Sequence, residues 1–156
     1  MAKLMRLDWQ KYGVLSAELA QKIWEDGARF DKVIGIARGG IPLAMVIGDR
    51  LDVRIEIINV KSYDGIGSRT APEILSTISS SIDGQRILLV DDLVDQGDTM
   101  KRVVGYLAQY KPQHIKSAAL FRKPWSTFLP DYCLGETDEW VVFPWDEHET
   151  ERALEK

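Results

Sequence analysis

Residues 86–99, with the sequence RILLVDDLVDQGDT, constrain the fold of this chain more than any other segment. The uninterrupted apolar run at 87–90 predicts a strand buried on both faces, as in a parallel sheet covered by helices. A helical pattern begins near Met100. Because ligands of such sheets bind beyond the carboxyl ends of the strands, the acidic pair Asp91 and Asp92 and the loop after it are expected to form a ligand site outside the strand.

The loop from Asp95 to Thr99 has the residues that a phosphate-binding loop needs. Gly97 allows close approach of the main chain, Thr99 adds a hydroxyl donor, and the N–H groups that open the next helix favour an anion. The carboxylates of Asp91 and Asp92 would repel a phosphate, but they can bind the vicinal hydroxyls of a sugar or a magnesium ion. These residues predict a phosphorylated ribose with a metal ion nearby.

Residues 90–99 resemble the 5-phosphoribosyl 1-pyrophosphate (PRPP) signature of the type I phosphoribosyltransferases, most of all that of the 6-oxopurine enzymes. The resemblance implies that PRPP is bound by Asp91, Asp92, Asp95, Gln96, Gly97, Asp98 and Thr99. It also implies Mg²⁺ as cofactor, held by the acidic pair directly or through water. Gln96 stands where the family usually has threonine, so altered phosphate contacts are expected.

A second strand and loop lie earlier in the chain, at residues 32–40, and lead into an apolar helix at 41–51. Two glycines after a strand let the backbone approach a ligand, and Arg38 supplies a permanent cation, which suits a pyrophosphate. This segment resembles the family's pyrophosphate loop, which here consists of Ala37, Arg38, Gly39 and Gly40.

The polar segment 61–72 follows a third predicted strand at 53–60. Long loops in compact domains are usually functional or disordered. This one resembles the family's mobile catalytic loop, in which a Ser-Tyr pair, here Ser62 and Tyr63, closes over the pyrophosphate, and Arg69 is an extra candidate cation. Closure would protect a reactive sugar cation from water.

The base is expected to bind residues of the C-terminal part. Lys123 follows a predicted strand at 114–122. A lysine at this place in the 6-oxopurine enzymes hydrogen-bonds the oxygen at C6, and an ammonium, which only donates, selects an oxo over an amino group. Trp140 offers a flat face for stacking. By resemblance to the xanthine-guanine enzymes, main-chain groups near Val141 and Asp146 would read the purine edge.

These features predict an α/β protein with the type I phosphoribosyltransferase fold: a mostly parallel central sheet flanked by helices, with a small hood from the terminal segments. The chain of 156 residues suffices for a single domain, 1–156. Its core is expected at about 30–122 and its base-binding hood at 123–146. Residues 1–13 are expected to be irregular, and Ser16 to cap a helix that ends at Gly27. A short strand is expected at 73–79, and the acidic C-terminal tail is expected to fray.

Composition narrows the partners and the compartment. The net charge of −4 disfavours nucleic-acid binding, which needs a basic face. No apolar run approaches the roughly 20 residues of a membrane span. The single cysteine excludes an internal disulfide and fits a reducing compartment, so a cytoplasmic protein is expected. The number of aromatic residues in a short chain favours a homodimer or homotetramer.

The resemblance implies a purine salvage enzyme that transfers the 5-phosphoribosyl group from PRPP to hypoxanthine, guanine or xanthine and releases pyrophosphate. Asp95 corresponds to the family's candidate general base, which takes the proton from N7 of the purine as N9 attacks. Arg38, Ser62, Tyr63 and Arg69 would complete the catalytic set. Two alternatives stay open: an adenine phosphoribosyltransferase, and a non-catalytic regulator that senses PRPP or a nucleotide.

Overall fold

The computed structural model describes residues 3–62 and 71–156. In these residues the secondary-structure elements are, in chain order, β1 (Leu4–Arg6), α1 (Trp9–Asp26), β2 (Lys32–Ala37), α2 (Gly40–Leu51), β3 (Arg54–Lys61), β4 (Glu73–Ile74), β5 (Arg86–Val94), α3 (Asp98–Ala108), β6 (His114–Arg122), β7 (Tyr132–Glu136), β8 (Trp140–Val142) and α4 (Glu147–Leu154). None of these helices is long and apolar enough to cross a membrane.

Six strands form the main sheet in the order β4-β3-β2-β5-β6-β7. All neighbouring strands are parallel except β4, which pairs antiparallel with the end of β3. Within β5, the apolar run at 87–90 is fully buried. The predicted α/β architecture with a mostly parallel sheet is confirmed, and it brings the carboxyl ends of β2, β5 and β6 to one edge.

Both faces of β5 are covered, which explains why its apolar residues do not alternate with polar ones. On one face, Leu88 and Val90 belong to a core that includes residues of α1 and α2. On the other face, Ile87 and Leu89 belong to a core that includes Met100 and other residues of α3. Each fully buried aliphatic side chain stabilises the fold by about 1.5–3 kcal/mol relative to exposure, so β5 is fixed firmly in the middle of the sheet.

The two ends of the chain form a separate two-stranded parallel sheet from β1 and β8, as expected for a hood made of the terminal segments. An aromatic cluster attaches this hood to α1. The ring of Trp145 stacks on Phe143 with centroids 5.0 Å apart and meets Tyr12 edge-on at 4.9 Å. The strand β7, which lies within the segment 123–146, forms one edge of the main sheet.

The N-terminal prediction was wrong in two respects. In the segment 1–13, which was expected to be irregular, the described residues 3–13 contain β1 and the first turns of α1. The N-cap of α1 is Asp8, whose carboxylate accepts from the Lys11 N–H at 2.7 Å, as a capping carboxylate should. Ser16 lies inside the helix, and its hydroxyl donates to the carbonyl of Gly13. Gly27 ends α1, as predicted, and it adopts the left-handed conformation.

Three further boundaries differ from prediction. The strand β5 continues through Asp91 and Asp92 to Val94, since β6 pairs with it along almost its whole length. The strand expected at 73–79 is reduced to two residues. The acidic tail forms the helix α4 instead of fraying, with Thr150 buried.

Candidate active site

Three segments of predicted function meet at the carboxyl edge of the sheet. The segment 37–40 begins with the last residue of β2, the loop 95–97 follows β5, and Lys123 follows β6. These strands are neighbours, and the Lys123 N–H donates to the carbonyl of Val94 at 2.9 Å. The edge therefore combines the predicted pyrophosphate, ribose-phosphate and base residues.

The loop before α3 has the geometry of an anion cradle. Gly97 has φ +96°, a left-handed conformation that favours glycine, and a Cβ there would lie 2.6 Å from the Cβ of Phe128. Asp98 and Thr99 open α3, and no side chain in the described residues caps this helix. The Thr99 hydroxyl lies 3.3 Å from that of Ser62, so these two hydroxyls are adjacent. The first N–H groups of α3 remain available for a phosphate.

Asp91 and Asp92 are partly buried carboxylates that need a cation or donors from a ligand. Asp91 accepts from the Asp92 N–H at 2.8 Å, and Asp92 accepts from the Leu93 N–H at 2.7 Å. Burial raises the pKa of Asp91, and the Asp92 carboxylate raises it further. Burial also raises the pKa of Asp92. A bound cation would favour the ionised forms of both.

These two carboxylates fit a magnesium ion that is held mostly by substrate and water. In the parts of the chain that the structure describes, no group of three or more His, Cys, Asp or Glu residues could form a complete metal site. Mg²⁺ commonly binds one or two carboxylates together with substrate phosphates. Asp91 and Asp92 match that requirement, with ligand oxygens beyond those used by the main chain.

The segment 37–40 lies directly against the acidic pair. A Cβ at Gly39 would overlap the carboxylate of Asp92, so the main chain passes close to that side chain. The Ala37–Arg38 peptide bond is cis. The side chain of Arg38 is 75% exposed, with its guanidinium 3.4 Å from the Glu149 carboxylate. The Arg38 guanidinium therefore forms an ion pair with a residue of α4.

The predicted base residues lie in different surroundings. Lys123 is buried, its ammonium donates to the carbonyl of Glu139, and burial lowers its pKa. Trp140 is half-exposed, so its ring offers a face to a ligand. The Val141 side chain is buried in the core, which leaves its main-chain groups for recognition.

Asp146 lies beside the predicted pyrophosphate residues. Its carboxylate is 3.8 Å from the Arg38 guanidinium, and its charge helps to raise the pKa of Asp92. Burial raises the pKa of Asp146 itself, and the Glu149 carboxylate adds to the effect. These contacts place Asp146 close to the residues that are predicted to bind the metal and the pyrophosphate.

Asp95 is exposed at the start of the loop, and its Oδ1 accepts from the indole Nε1–H of Trp125 at 2.7 Å. Nothing in the sequence predicted that Trp125 lies at the site. Two further residues at the site had no predicted role there: Glu149, whose carboxylate lies 3.4 Å from the Arg38 guanidinium, and Thr127, whose hydroxyl donates to the Gln96 carbonyl. No sequence motif pairs these distant positions. Tyr63 and Arg69 lie outside the described residues.

Comparison with known proteins agrees with this geometry. Residues 6–152 match the phosphoribosyl transferase domain family. The chain is 31% identical over 147 residues to the xanthine-guanine phosphoribosyltransferase of Nitratidesulfovibrio vulgaris (strain DP4), covering 92% of this chain and 85% of that protein. It is 36% identical over 130 residues to the enzyme of the same name from Ruegeria sp. (strain TM1040), covering 78% of this chain and 71% of that protein.

Among solved structures, the purine phosphoribosyltransferase from Pyrococcus horikoshii superposes with a TM-score of 0.82 at 34% identity, covering 93% of this chain and 95% of that one. The fold, the site and the matches agree with the motif at residues 90–99. The chain belongs to the phosphoribosyltransferase family, with the type I fold that its sequence predicted.

Proposed function

We propose that this protein transfers the 5-phosphoribosyl group of PRPP to a ring nitrogen of a 6-oxopurine, forming a nucleoside monophosphate and pyrophosphate. The observation that carries the proposal is the meeting of the acidic pair, the loop 95–99, the segment 37–40 and Lys123 at one edge of the sheet. One ligand that needs all four groups is a phosphorylated ribose with a pyrophosphate leaving group and an oxopurine beside it.

The part of the site that binds PRPP stabilises the charges that develop during the reaction. Departure of pyrophosphate leaves positive charge on the ribose, so groups that stabilise the leaving group accelerate the reaction. Arg38 and the main chain at Ala37, Gly39 and Gly40 contact the pyrophosphate, while the loop 95–99 binds the 5-phosphate. Asp91 and Asp92 hold the ribose hydroxyls and Mg²⁺, which when bound neutralises charge on the pyrophosphate.

Asp95 is the general base in this proposal. Its carboxylate is exposed at the mouth of the loop, and only Oδ1 is engaged by Trp125. The other oxygen can accept the proton from N7 of the purine as N9 attacks the ribose.

The base half selects an oxopurine. The Lys123 ammonium has three donors, one of which serves the Glu139 carbonyl, so donors remain for the oxygen at C6. Trp140 stacks on the base, and main-chain groups at Val141 and near Asp146 read its edge. The xanthine-guanine names of the relatives support an oxopurine over adenine, and their enzymatic names support a catalyst over a PRPP-sensing regulator.

Further parts of the proposal concern closure and assembly. Ser62, Tyr63 and Arg69 contact the pyrophosphate and exclude water during turnover. The chain acts as one domain, with residues 123–146 supplying the base-binding hood. It assembles as a homodimer or homotetramer and works in the cytoplasm on small molecules, without a nucleic-acid or membrane partner.

Pyrophosphate release measured with PRPP, Mg²⁺ and each of adenine, hypoxanthine, guanine and xanthine tests the proposal. Release with one or more oxopurines, and none with adenine, is the expected result. Release with adenine alone would replace the oxopurine assignment. Absence of release with every base, together with measurable PRPP binding, would overturn the enzymatic proposal.

A further inference from the structure

Trp125 forms the closest hydrogen bond that the described residues make with the side chain of Asp95. The indole Nε1–H donates to Asp95 Oδ1 at 2.7 Å, across thirty residues of sequence. We infer that Trp125 is a positioning residue for the general base, an inference that rests on the proposed function. The indole fixes the Asp95 carboxylate so that its second oxygen faces N7 of the purine.

The main chain around Trp125 is anchored to the loop that carries Asp95. The N–H of Lys123 donates to the Val94 carbonyl at 2.9 Å, and the N–H of Thr127 donates to the Gln96 carbonyl at 3.2 Å. Trp125 lies between the two donor residues in the sequence, and Asp95 lies between the two acceptor residues. The indole therefore reaches Asp95 from a main chain that is hydrogen-bonded to the loop on both sides of this contact.

The same connection continues through side chains. The Thr127 hydroxyl donates to the Gln96 carbonyl at 3.0 Å and accepts from the Lys101 ammonium at 2.5 Å. The Lys123 ammonium lies 5.6 Å from the centroid of the Trp125 ring. The segment 123–127 thus joins the proposed base-selecting lysine to the proposed phosphate loop, and the hydrogen bond between Trp125 and Asp95 lies within this connection.

The chemistry of the donor supports positioning over proton transfer. An indole N–H only donates, so Trp125 cannot accept the purine proton. A bond to an ionised carboxylate is charge-assisted and stronger than a neutral one. Because the Trp125 side chain is 48% exposed, its ring contributes little to the core, and a role in packing alone does not account for the contact. Small losses of orientation at a reacting group reduce turnover more than ground-state binding.

The test uses the full-length protein with Trp125→Phe, which keeps an aromatic ring and removes the donor. We expect kcat for nucleotide formation to fall about tenfold, since a positioned general base contributes 10²–10⁴-fold and only its orientation is lost. The Kd of PRPP with Mg²⁺, measured by calorimetry, should change less than twofold. Trp24→Phe is the matched control, because Trp24 is similarly exposed on α1, and it should leave both quantities unchanged.

Two further variants separate positioning from general disturbance. In Trp125→His, the Nε2 atom occupies the ring position of the indole Nε1, so part of the lost kcat should return. In an Asp95→Asn background, Trp125→Phe should have no additional effect, since the two changes act on one group. Unchanged kcat in Trp125→Phe, or an equal fall in both backgrounds, would overturn the inference while leaving the proposed function intact. An inactive wild-type protein would overturn the proposed function, and this inference with it.

Discussion

The side chain of Asp92 fits beneath the segment 37–40 because position 39 carries no Cβ. The main chain of the proposed pyrophosphate loop and a carboxylate of the proposed metal site are therefore in direct contact. At the scale of the residue, the affinity for PRPP should therefore depend on glycine at position 39 as much as on any charged group.

Replacement of Gly39 by alanine should displace either the loop or the Asp92 carboxylate. We expect the Kd of PRPP with Mg²⁺ to rise about tenfold or more, because one misplaced charge-assisted contact costs roughly 1.5–3 kcal/mol. Calorimetric titration measures this directly. The control is Gly13→Ala in α1, where an added Cβ meets no atom within 4 Å and the helix should gain up to about 1 kcal/mol. Equal PRPP affinity in both variants would contradict the assigned contact.

Asp95→Asn tests the general base separately from PRPP binding. The amide keeps the size of the side chain but accepts the purine proton poorly, so kcat should fall by about 10²–10⁴ while the Kd of PRPP stays nearly constant. Steady-state rates and calorimetry on the same sample provide both values. Undiminished turnover would show that another group takes the proton.

The sequence predicted individual residues well where a short motif carries them and poorly where two distant segments meet. The acidic pair, the loop 95–99 and the segment 37–40 are local motifs whose chemistry is visible in their order. The contact of Trp125 with Asp95 and that of Glu149 with Arg38 arise only when strands and helices are packed. Periodicity and spacing contain no information about such pairs.

At the scale of elements, α4 brings negative charge to the entrance of the site. Glu149 and Asp146 both face the guanidinium of Arg38, which is expected to meet pyrophosphate. Their carboxylates compete with the substrate for the same cation in the ligand-free protein. Because the side chains of Arg38 and Glu149 are both exposed, the competition from Glu149 should be weak and sensitive to salt.

Glu149→Gln should therefore tighten PRPP binding modestly. An exposed ion pair contributes about 0–1 kcal/mol, so we expect the Kd to fall by at most about fivefold at low ionic strength, and the difference to vanish at high salt. Glu151→Gln is the control on the same helix, since Glu151 pairs with His148 and not with Arg38. A weaker affinity in Glu149→Gln would show that this carboxylate assists the substrate instead of competing with it.

Element boundaries were predicted best inside the sheet. The strand at 32–37 and the strand at 114–122 match the observed β2 and β6, because continuous apolar runs bounded by polar residues leave little choice. The start of α1 was misplaced because Asp8 and Ser16 are both acceptable N-caps. Only packing of Tyr12 against Phe143 and Trp145 decides for the longer helix.

At the scale of the whole molecule, stability and activity depend on opposite edges of the sheet. The side chains of Lys32 and Glu56 form an ion pair, 6% and 8% exposed, at the edge where the strands begin. Burial alone would raise the pKa of Glu56, but hydrogen bonds from Ser79 and Lys32 outweigh burial and lower it. The length of β2 separates this pair from the proposed site by roughly 17 Å.

Lys32→Met should destabilise the protein without altering its chemistry. It leaves the Glu56 carboxylate buried without its cation, which costs about 3–5 kcal/mol of unfolding free energy. Chemical denaturation measures the loss, and kcat per folded molecule should equal that of the wild type. Lys11→Met, at an exposed position of α1, should change stability by less than about 0.5 kcal/mol. A fall in kcat for folded Lys32→Met would show that this ion pair influences the proposed site at the opposite edge of the sheet.

The buried Glu56 carboxylate also gives the stability of the protein a predictable pH dependence. Because folding lowers the pKa of Glu56, the carboxylate contributes to stability fully above its unfolded pKa of about 4.3. That contribution is lost as the pH falls through the lower, folded value. The wild type should therefore lose more unfolding free energy than Glu56→Gln between neutral and acidic pH.

The central claim is transfer of the ribosyl group to a purine, and the stoichiometry of its two products tests it most directly. Wild-type protein is incubated with PRPP, Mg²⁺ and the best oxopurine substrate, and the nucleoside monophosphate and pyrophosphate are quantified in the same samples. We predict that they form in equal amounts and that chelation of Mg²⁺ abolishes both. Pyrophosphate without nucleotide would show that water, not a purine, receives the ribosyl group and would contradict the assignment.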